Sequence, residues 1–253
     1  MANTAPTAAR TLNSPAKVKW RNDRLFYTAM GLFVAVVAVA GFARSYYLNF
    51  WFETPAGMRR MTPLLHIHAA SFTAWLILMV IQPLLIANKN RKLHRKLGYV
   101  GAGVAALMVI LGNIAAVEAM NAGFAFAPDK HAFYAIPFFT LNSFAVAVLL
   151  AIVWRNHTET HKRLILLANV GILGAAIARI PSELVQAAAP FSFLFGPNLI
   201  IVAGILYDWV SRGRVHKVWV IGGAAMVASQ LAIFPIMASQ PWITFAKFMA
   251  SLW

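Results

Sequence analysis

Seven long runs of apolar residues constrain the fold of this chain more than any other feature. A helix needs about 20 apolar residues to cross a ~30 Å hydrocarbon core, and seven stretches reach or approach that length. Hydrophobic residues make up 60% of the 253 positions and charged residues only 11%. The runs lack the polar alternation of barrel strands, which predicts an all-α bundle of seven transmembrane helices. The predicted segments are 25–43, 61–87, 97–120, 131–154, 163–187, 191–210 and 217–239.

The distribution of Lys and Arg predicts the orientation of this bundle. Sixteen of the 22 basic residues fall in segments on the same side as the N-terminus, and five fall on the other side. Basic residues are enriched in cytoplasmic loops, so we expect a cytoplasmic N-terminus and an outer C-terminus in a bacterial inner membrane. The net charge of +15 is therefore mainly a topology signal. Because it is divided among short loops, it argues against nucleic-acid binding.

The chain divides into three predicted regions. Residues 1–24 begin with a polar stretch and are predicted to form a mobile cytoplasmic tail. Residues 25–240 are predicted to form the seven-helix domain. Residues 241–253 place Trp242, Phe245, Phe248 and Leu252 at helical spacing, which predicts a short amphipathic helix on the outer membrane surface. No soluble module is expected.

The histidines suggest a function because they alternate between the two ends of consecutive segments. His66 and His68 lie near the outer end of segment 2, and His131 opens segment 4, so both segments offer an outer imidazole. His94 and His161 precede segments 3 and 5 at the inner side. Imidazole at membrane depth is scarce. We therefore expect one histidine pair in an outer layer and one in an inner layer.

Only one histidine of segment 2 can point into the bundle. Positions two apart on a helix differ by about 200°, so His66 and His68 cannot bind the same metal ion. The helical stripe through His68 contains Ser71, Trp75 and Gln82 and is more polar than the stripe through His66. This favours His68 as the inward residue.

The chain has no cysteine, so a metal or cofactor must be held by histidine or carboxylate. Two imidazoles on opposite faces of a flat macrocycle are the ligands of a low-spin b-type haem, and four helices offer two such sites. The simpler alternatives stay open: His68 as a hydrogen-bonded core histidine, and His94 and His161 as loop histidines near lipid phosphates.

This layout resembles the ascorbate-dependent two-haem b-type cytochromes and transmembrane ferric reductases. The stretch His94-Arg95-Lys96-Leu97-Gly98 matches the His-Arg-x-x-Gly that opens the third helix in that family. The resemblance covers residues 61–185 and implies an outer haem at His68 and His131 and an inner haem at His94 and His161. Over its whole length the chain is also similar to a group of bacterial seven-helix membrane proteins of unassigned activity, which implies an architecture alone.

A second polar group contains Arg179 and Glu183, four residues apart in the predicted segment 5. On one helix they would face the same way and neutralise each other. Arg179 could alternatively bind a haem propionate or an anionic electron donor, and Glu183 could join His68 and His131 at a zinc or iron site. These roles predict different proteins, an electron carrier or a metal-dependent membrane enzyme.

The leading hypothesis is transmembrane electron transfer through b-type haem, with a quinone or a redox protein as partner. The alternatives are a zinc- or iron-dependent enzyme with an outer site and an accessory subunit of a larger membrane complex. A retinal protein is rejected because segment 7 has no lysine in its middle. The prolines could break helices as in a transporter, but the halves show no paired repeat.

Overall fold

The computed structural model describes residues 15–52, 61–123 and 129–253, with side chains from Asp23 onward. Within these ranges the chain is all-helical, and seven helices are long and apolar enough to cross a membrane. The prediction of seven spanning helices is confirmed. In chain order we call them spans 1 to 7: Asp23–Tyr47, Pro63–Ala87, Arg91–Asn121, Lys130–Val153, Thr158–Ile177, Phe191–Arg212 and Val218–Met237.

Shorter elements complete the described chain. The first helix begins at Pro15, so residues 15–24 of the predicted tail continue span 1, and residues 1–14 lie outside the described part. Span 1 ends in a π-helical turn, Ala43–Tyr47, and span 7 begins with another, Val218–Gly222. Two further helices lie outside the spans, Glu183–Ala187 and Gln240–Ser251.

Short connections join spans 2 to 3 and 4 to 5, which makes these neighbours antiparallel. They define two ends of the bundle. The basic end contains Lys89, Arg91, Lys92, Arg155 and Lys162, and the aromatic end contains Tyr46, Tyr47, Phe50, Trp51 and Trp242. Which end faces the cytoplasm stays a prediction.

Span 5 occupies the centre of the bundle, where it packs mainly against spans 1, 4, 6 and 7. Its middle is apolar except for Asn169, which is fully buried. The Asn169 carboxamide accepts a hydrogen bond from Trp75 Nε1 at 3.1 Å and donates to the Ile165 carbonyl at 2.8 Å. A buried amide is costly unless it is satisfied, so this pair fixes the position of span 2 against span 5.

The helix of span 5 ends ten residues earlier than predicted, at Ile177 rather than at residue 187. Proline has no N–H to donate and disfavours a helical residue before it, and Pro181 stands just after this end. The chain turns here, and Glu183 begins a separate short helix. The expectation that Arg179 and Glu183 share one helical face is therefore wrong.

The predicted C-terminal helix is present at Gln240–Ser251. Trp242 and Ala246 are buried, whereas Phe248 and Leu252 are exposed. Trp242 Nε1 donates to the His131 carbonyl at 2.9 Å, and its ring packs on Tyr134 with 5.7 Å between centroids. One face of this helix thus caps span 4, and the placement of the helix at a membrane surface stays a prediction.

Candidate functional site

The histidines of the basic end lie next to each other. His94 stands near the start of span 3 and His161 near the start of span 5, and their ring centroids are 6.5 Å apart with planes at 87°. Both residues are half-buried, although Arg91, Lys92, Arg95 and Lys96 around His94 are exposed. The structure therefore brings together the pair that was predicted for the inner layer.

The hydrogen bonds of this pair leave ring nitrogens available. His161 Nδ1 lies 2.8 Å from the Ala151 carbonyl oxygen, which can only accept, so Nδ1 carries a proton and Nε2 of the neutral imidazole has a free lone pair. His94 Nδ1 is buried without a geometrically ideal hydrogen-bond partner within the described chain, although the Gln82 backbone interacts with the His94 ring. The Nδ1–H to carbonyl hydrogen bond of His161 is of the kind that usually orients a metal-binding histidine.

A cavity of about 360 Å³ lies at the aromatic end, among spans 1 to 6. His68 lines it, whereas His66 on the same helix is exposed. This agrees with the helical-wheel argument that favours His68 as the inward residue. Most of the lining is apolar, with Phe72, Phe133 and Leu141 as examples. The volume is in the range of small-molecule sites, which are mostly apolar with a few polar groups.

Several polar side chains also stand in this cavity wall. The guanidinium of Arg179 donates to the Ala175 carbonyl at 2.6 Å and lies over the Phe42 ring, 4.8 Å from its centroid. Within the described ranges Arg179 forms no ion pair with a carboxylate. Burial lowers the pKa of Arg179 to about 10, so it is still a cation at neutral pH. Three further atoms are buried without a hydrogen-bond partner in the described chain: His68 Nδ1, Tyr134 Oη and Ser45 Oγ.

His131 is not among the residues that line the cavity with His68. Its ring Nδ1 lies 3.1 Å from Asp129 Oδ1, and its backbone N–H donates to the same oxygen at 2.8 Å. Both hydrogen bonds lower the pKa of Asp129, and the bond from the His131 backbone N–H has the larger effect. The structure thus gives His131 a partner other than His68, and the pairing of His68 with His131 stays a prediction.

The alternative metal site gains no support. Glu183 is exposed on its own short helix. Across residues 15–52, 61–123 and 129–253, no group of three His, Asp or Glu residues is arranged to hold a metal ion. His68, His131 and Glu183 therefore do not form such a site in this structure.

Sequence analysis missed a cluster of charges at the basic end. The ionic cluster consists of three carboxylates and three cations from spans 1, 5 and 6: Asp23, Glu159, Asp208, Lys162, Arg163 and Arg212. At its centre Arg163 and Asp208 are both 0% exposed. The Arg163 guanidinium binds the Asp208 carboxylate with two contacts, one of them Nε to Oδ2 at 2.8 Å. Bidentate geometry of this kind is the strongest form of an Arg–carboxylate pair.

The outer members of the ionic cluster join the three spans. Asp23 accepts from Lys162 Nζ at 2.8 Å and from the Tyr207 hydroxyl at 2.6 Å, and Arg212 bridges Asp23 and Asp208. The three positive and three negative charges of the ionic cluster sum to zero. The only sequence signal was the i, i+4 spacing of Glu159 with Arg163 and of Asp208 with Arg212.

Comparison with known proteins gave no match to a family model, to a curated protein or to a solved structure. The similarity to two-haem cytochromes therefore rests on the placement of the histidines in the sequence. The geometry of His94 and His161 is an independent observation, since it comes from the fold.

Proposed function

We propose that the protein carries electrons in the membrane through a b-type haem held between His94 and His161. The distance between the two rings carries this proposal. Imidazoles that bind one iron from opposite sides have ring centres ~6 Å apart, since each metal–nitrogen bond is about 2 Å and each ring centre lies about 1 Å beyond its nitrogen. The observed separation is 6.5 Å.

The surroundings fit such a ligand pair. The proton on His161 Nδ1 leaves Nε2 for a metal, and the buried Nδ1 of His94 has no geometrically ideal hydrogen-bond partner within the described chain. The exposed cations Arg91, Lys92 and Arg95 supply positive charge of the kind that the two carboxylates of a haem attract. A haem bound there would supply a one-electron iron couple, whose potential depends on axial ligands and burial.

The protein's own contribution is positioning. Spans 3 and 5 each present one imidazole from a helix start, and the Ala151 carbonyl fixes the His161 ring. The second haem expected between His68 and His131 stays a prediction, as do the cytoplasmic side of the basic end and a quinone or redox protein as partner. The accessory-subunit hypothesis is likewise untested.

The test is the haem content of the purified full chain. We expect a Soret band that shifts on reduction with dithionite, together with separate α and β bands. His94→Ala and His161→Ala should each remove the absorbance of the haem at this pair. The matched control is His157→Ala, because His157 is exposed and lies four residues before His161.

A wild-type protein without haem absorbance would contradict the proposal. So would variants at His94 and His161 that keep the haem content of the His157 control.

A further inference from the structure

The cavity at the aromatic end has the composition of a binding site for an amphiphile. Its volume is about 360 Å³ and its wall is formed mainly by apolar side chains of spans 1 to 6. Burying an apolar body in such a wall is favourable, at roughly 25 cal/mol per Å² removed from water. An occupant should therefore be largely apolar.

The polar part of the wall selects an anion. Arg179 supplies a full positive charge without a carboxylate partner among the described residues. The Tyr134 hydroxyl belongs to a side chain that is 1% exposed, and it has no described hydrogen-bond partner. His68 Nδ1 is likewise buried and has no described hydrogen-bond partner. A guanidinium together with a hydroxyl and an imidazole matches the several lone pairs of a carboxylate.

We propose that this cavity binds an amphiphilic monocarboxylate of the fatty-acid type, with its carboxylate at Arg179 and its apolar body between Phe72 and Trp75. A neutral occupant would leave the half-buried Arg179 charge without a counter-ion beside an apolar wall. A bis-imidazole haem with one axial ligand from His68 would need a second imidazole on its other face, and no other histidine lines the cavity. The proposal goes beyond electron transfer and does not depend on it.

The position of Trp75 provides a direct assay. Trp75 lines the cavity, so a bromine atom on a bound chain should quench its fluorescence. We would titrate the full chain in nanodiscs with 11-bromoundecanoate and with 11-bromo-1-undecanol, which has the same chain and no charge. The variant Trp75→Phe identifies the share of the quenching that arises in the cavity.

We expect the carboxylate to bind more tightly than the alcohol, and Arg179→Gln to weaken carboxylate binding about tenfold or more, as for the loss of a hydrogen bond to a charged group. His68→Leu should also weaken it. The matched control His66→Leu should not, because His66 is exposed on the same helix. Arg179→Lys keeps the charge and should retain part of the affinity. Circular dichroism and elution volume would verify the fold of each variant.

Three outcomes would overturn the proposal. Equal affinity for the alcohol and the carboxylate would indicate a site for neutral ligands, such as a quinone. Displacement of the probe by anionic phospholipid in the nanodisc would assign the site to a lipid phosphate. Haem absorbance that is lost in His68→Leu and kept in His66→Leu would assign the cavity to a second haem. The haem content of His94→Ala is measured separately, so a failure here is distinct from a failure of the proposed function.

Discussion

Replacement of Asp208 by Asn should destabilise the bundle strongly. The substitution keeps the shape of the side chain and removes one of three negative charges from the ionic cluster, which leaves a net charge of +1 around Arg163. Both Arg163 and Asp208 are 0% exposed, so water cannot replace the lost partner. Breaking a buried ion pair by removal of one member costs about 3–5 kcal/mol. We expect a loss of that size in the free energy of unfolding.

The matched control is Glu159→Gln. Glu159 also binds Arg163, at 2.8 Å, but its side chain is 50% exposed. Pairs in contact with solvent contribute about 0–1 kcal/mol. The double variant Arg163→Gln with Asp208→Asn removes both buried charges, so it should be more stable than the sum of the two single effects predicts.

The assay is unfolding in mixed micelles, followed by far-ultraviolet circular dichroism as the mole fraction of SDS increases. Wild type, Asp208→Asn, Glu159→Gln, Arg163→Gln and the double variant would be measured under one lipid and salt condition. If Asp208→Asn destabilises no more than Glu159→Gln, the Arg163–Asp208 pair is not a buried constraint between spans 5 and 6.

Two further predictions concern packing and pH. A Cβ at Gly41 would collide with the Ala176 carbonyl oxygen, so Gly41→Ala should lower the unfolding free energy by about 1–3 kcal/mol. The control Gly103→Ala should not lower it, because a Cβ at Gly103 meets no atom within 4 Å. Equal effects of the two substitutions in the same SDS titration would contradict this prediction. Burial lowers the pKa of His216 below 6.5, and its Nδ1 accepts from the Val218 N–H at 3.2 Å. As the pH falls, the unfolded chain therefore binds a proton at His216 before the folded chain does. The stability that His216 contributes should be full above about pH 6.5 and fall as the pH drops through the folded-state pKa. His216→Asn should lose this part of the pH dependence in thermal melts, and an unchanged pH profile would contradict the role of His216.

The spans could be predicted because lipid imposes a minimum apolar length on each helix. The inward position of His68 could also be predicted, since the 3.6-residue period separates it from His66. The end of span 5 could not be predicted, because residues 184–188 are again mostly apolar, with Gln186 as the exception, although the helix has ended before Pro181. Composition alone does not show where a helix turns.

The ionic cluster was missed for a different reason. Its contacts join residues far apart in the chain, such as Asp23 with Arg212 and Asp208 with Arg163. In the sequence Lys162, Arg163 and Arg212 count as topology signals, and acidic residues contribute little to that rule. The fold shows that these three cations also neutralise carboxylates from other spans.

For the candidate site, the sequence pattern predicted the proximity of His94 and His161, since both lie at the starts of helices that run in the same direction from one end of the bundle. It did not predict the hydrogen bond between His131 and Asp129, because the Asp129 carboxylate competes for the ring only in the folded turn. The cavity could not be predicted from the sequence either, since six spans contribute to its wall.

Electron paramagnetic resonance of the oxidised, purified protein tests the central claim most directly. An iron bound by two imidazoles is six-coordinate, and we expect a low-spin ferric haem signal in the wild type and in His157→Ala. The signal of this haem should be absent from His94→Ala and from His161→Ala. A protein with no ferric signal, or a low-spin signal that keeps its full wild-type intensity in both variants, would contradict haem binding between these two histidines.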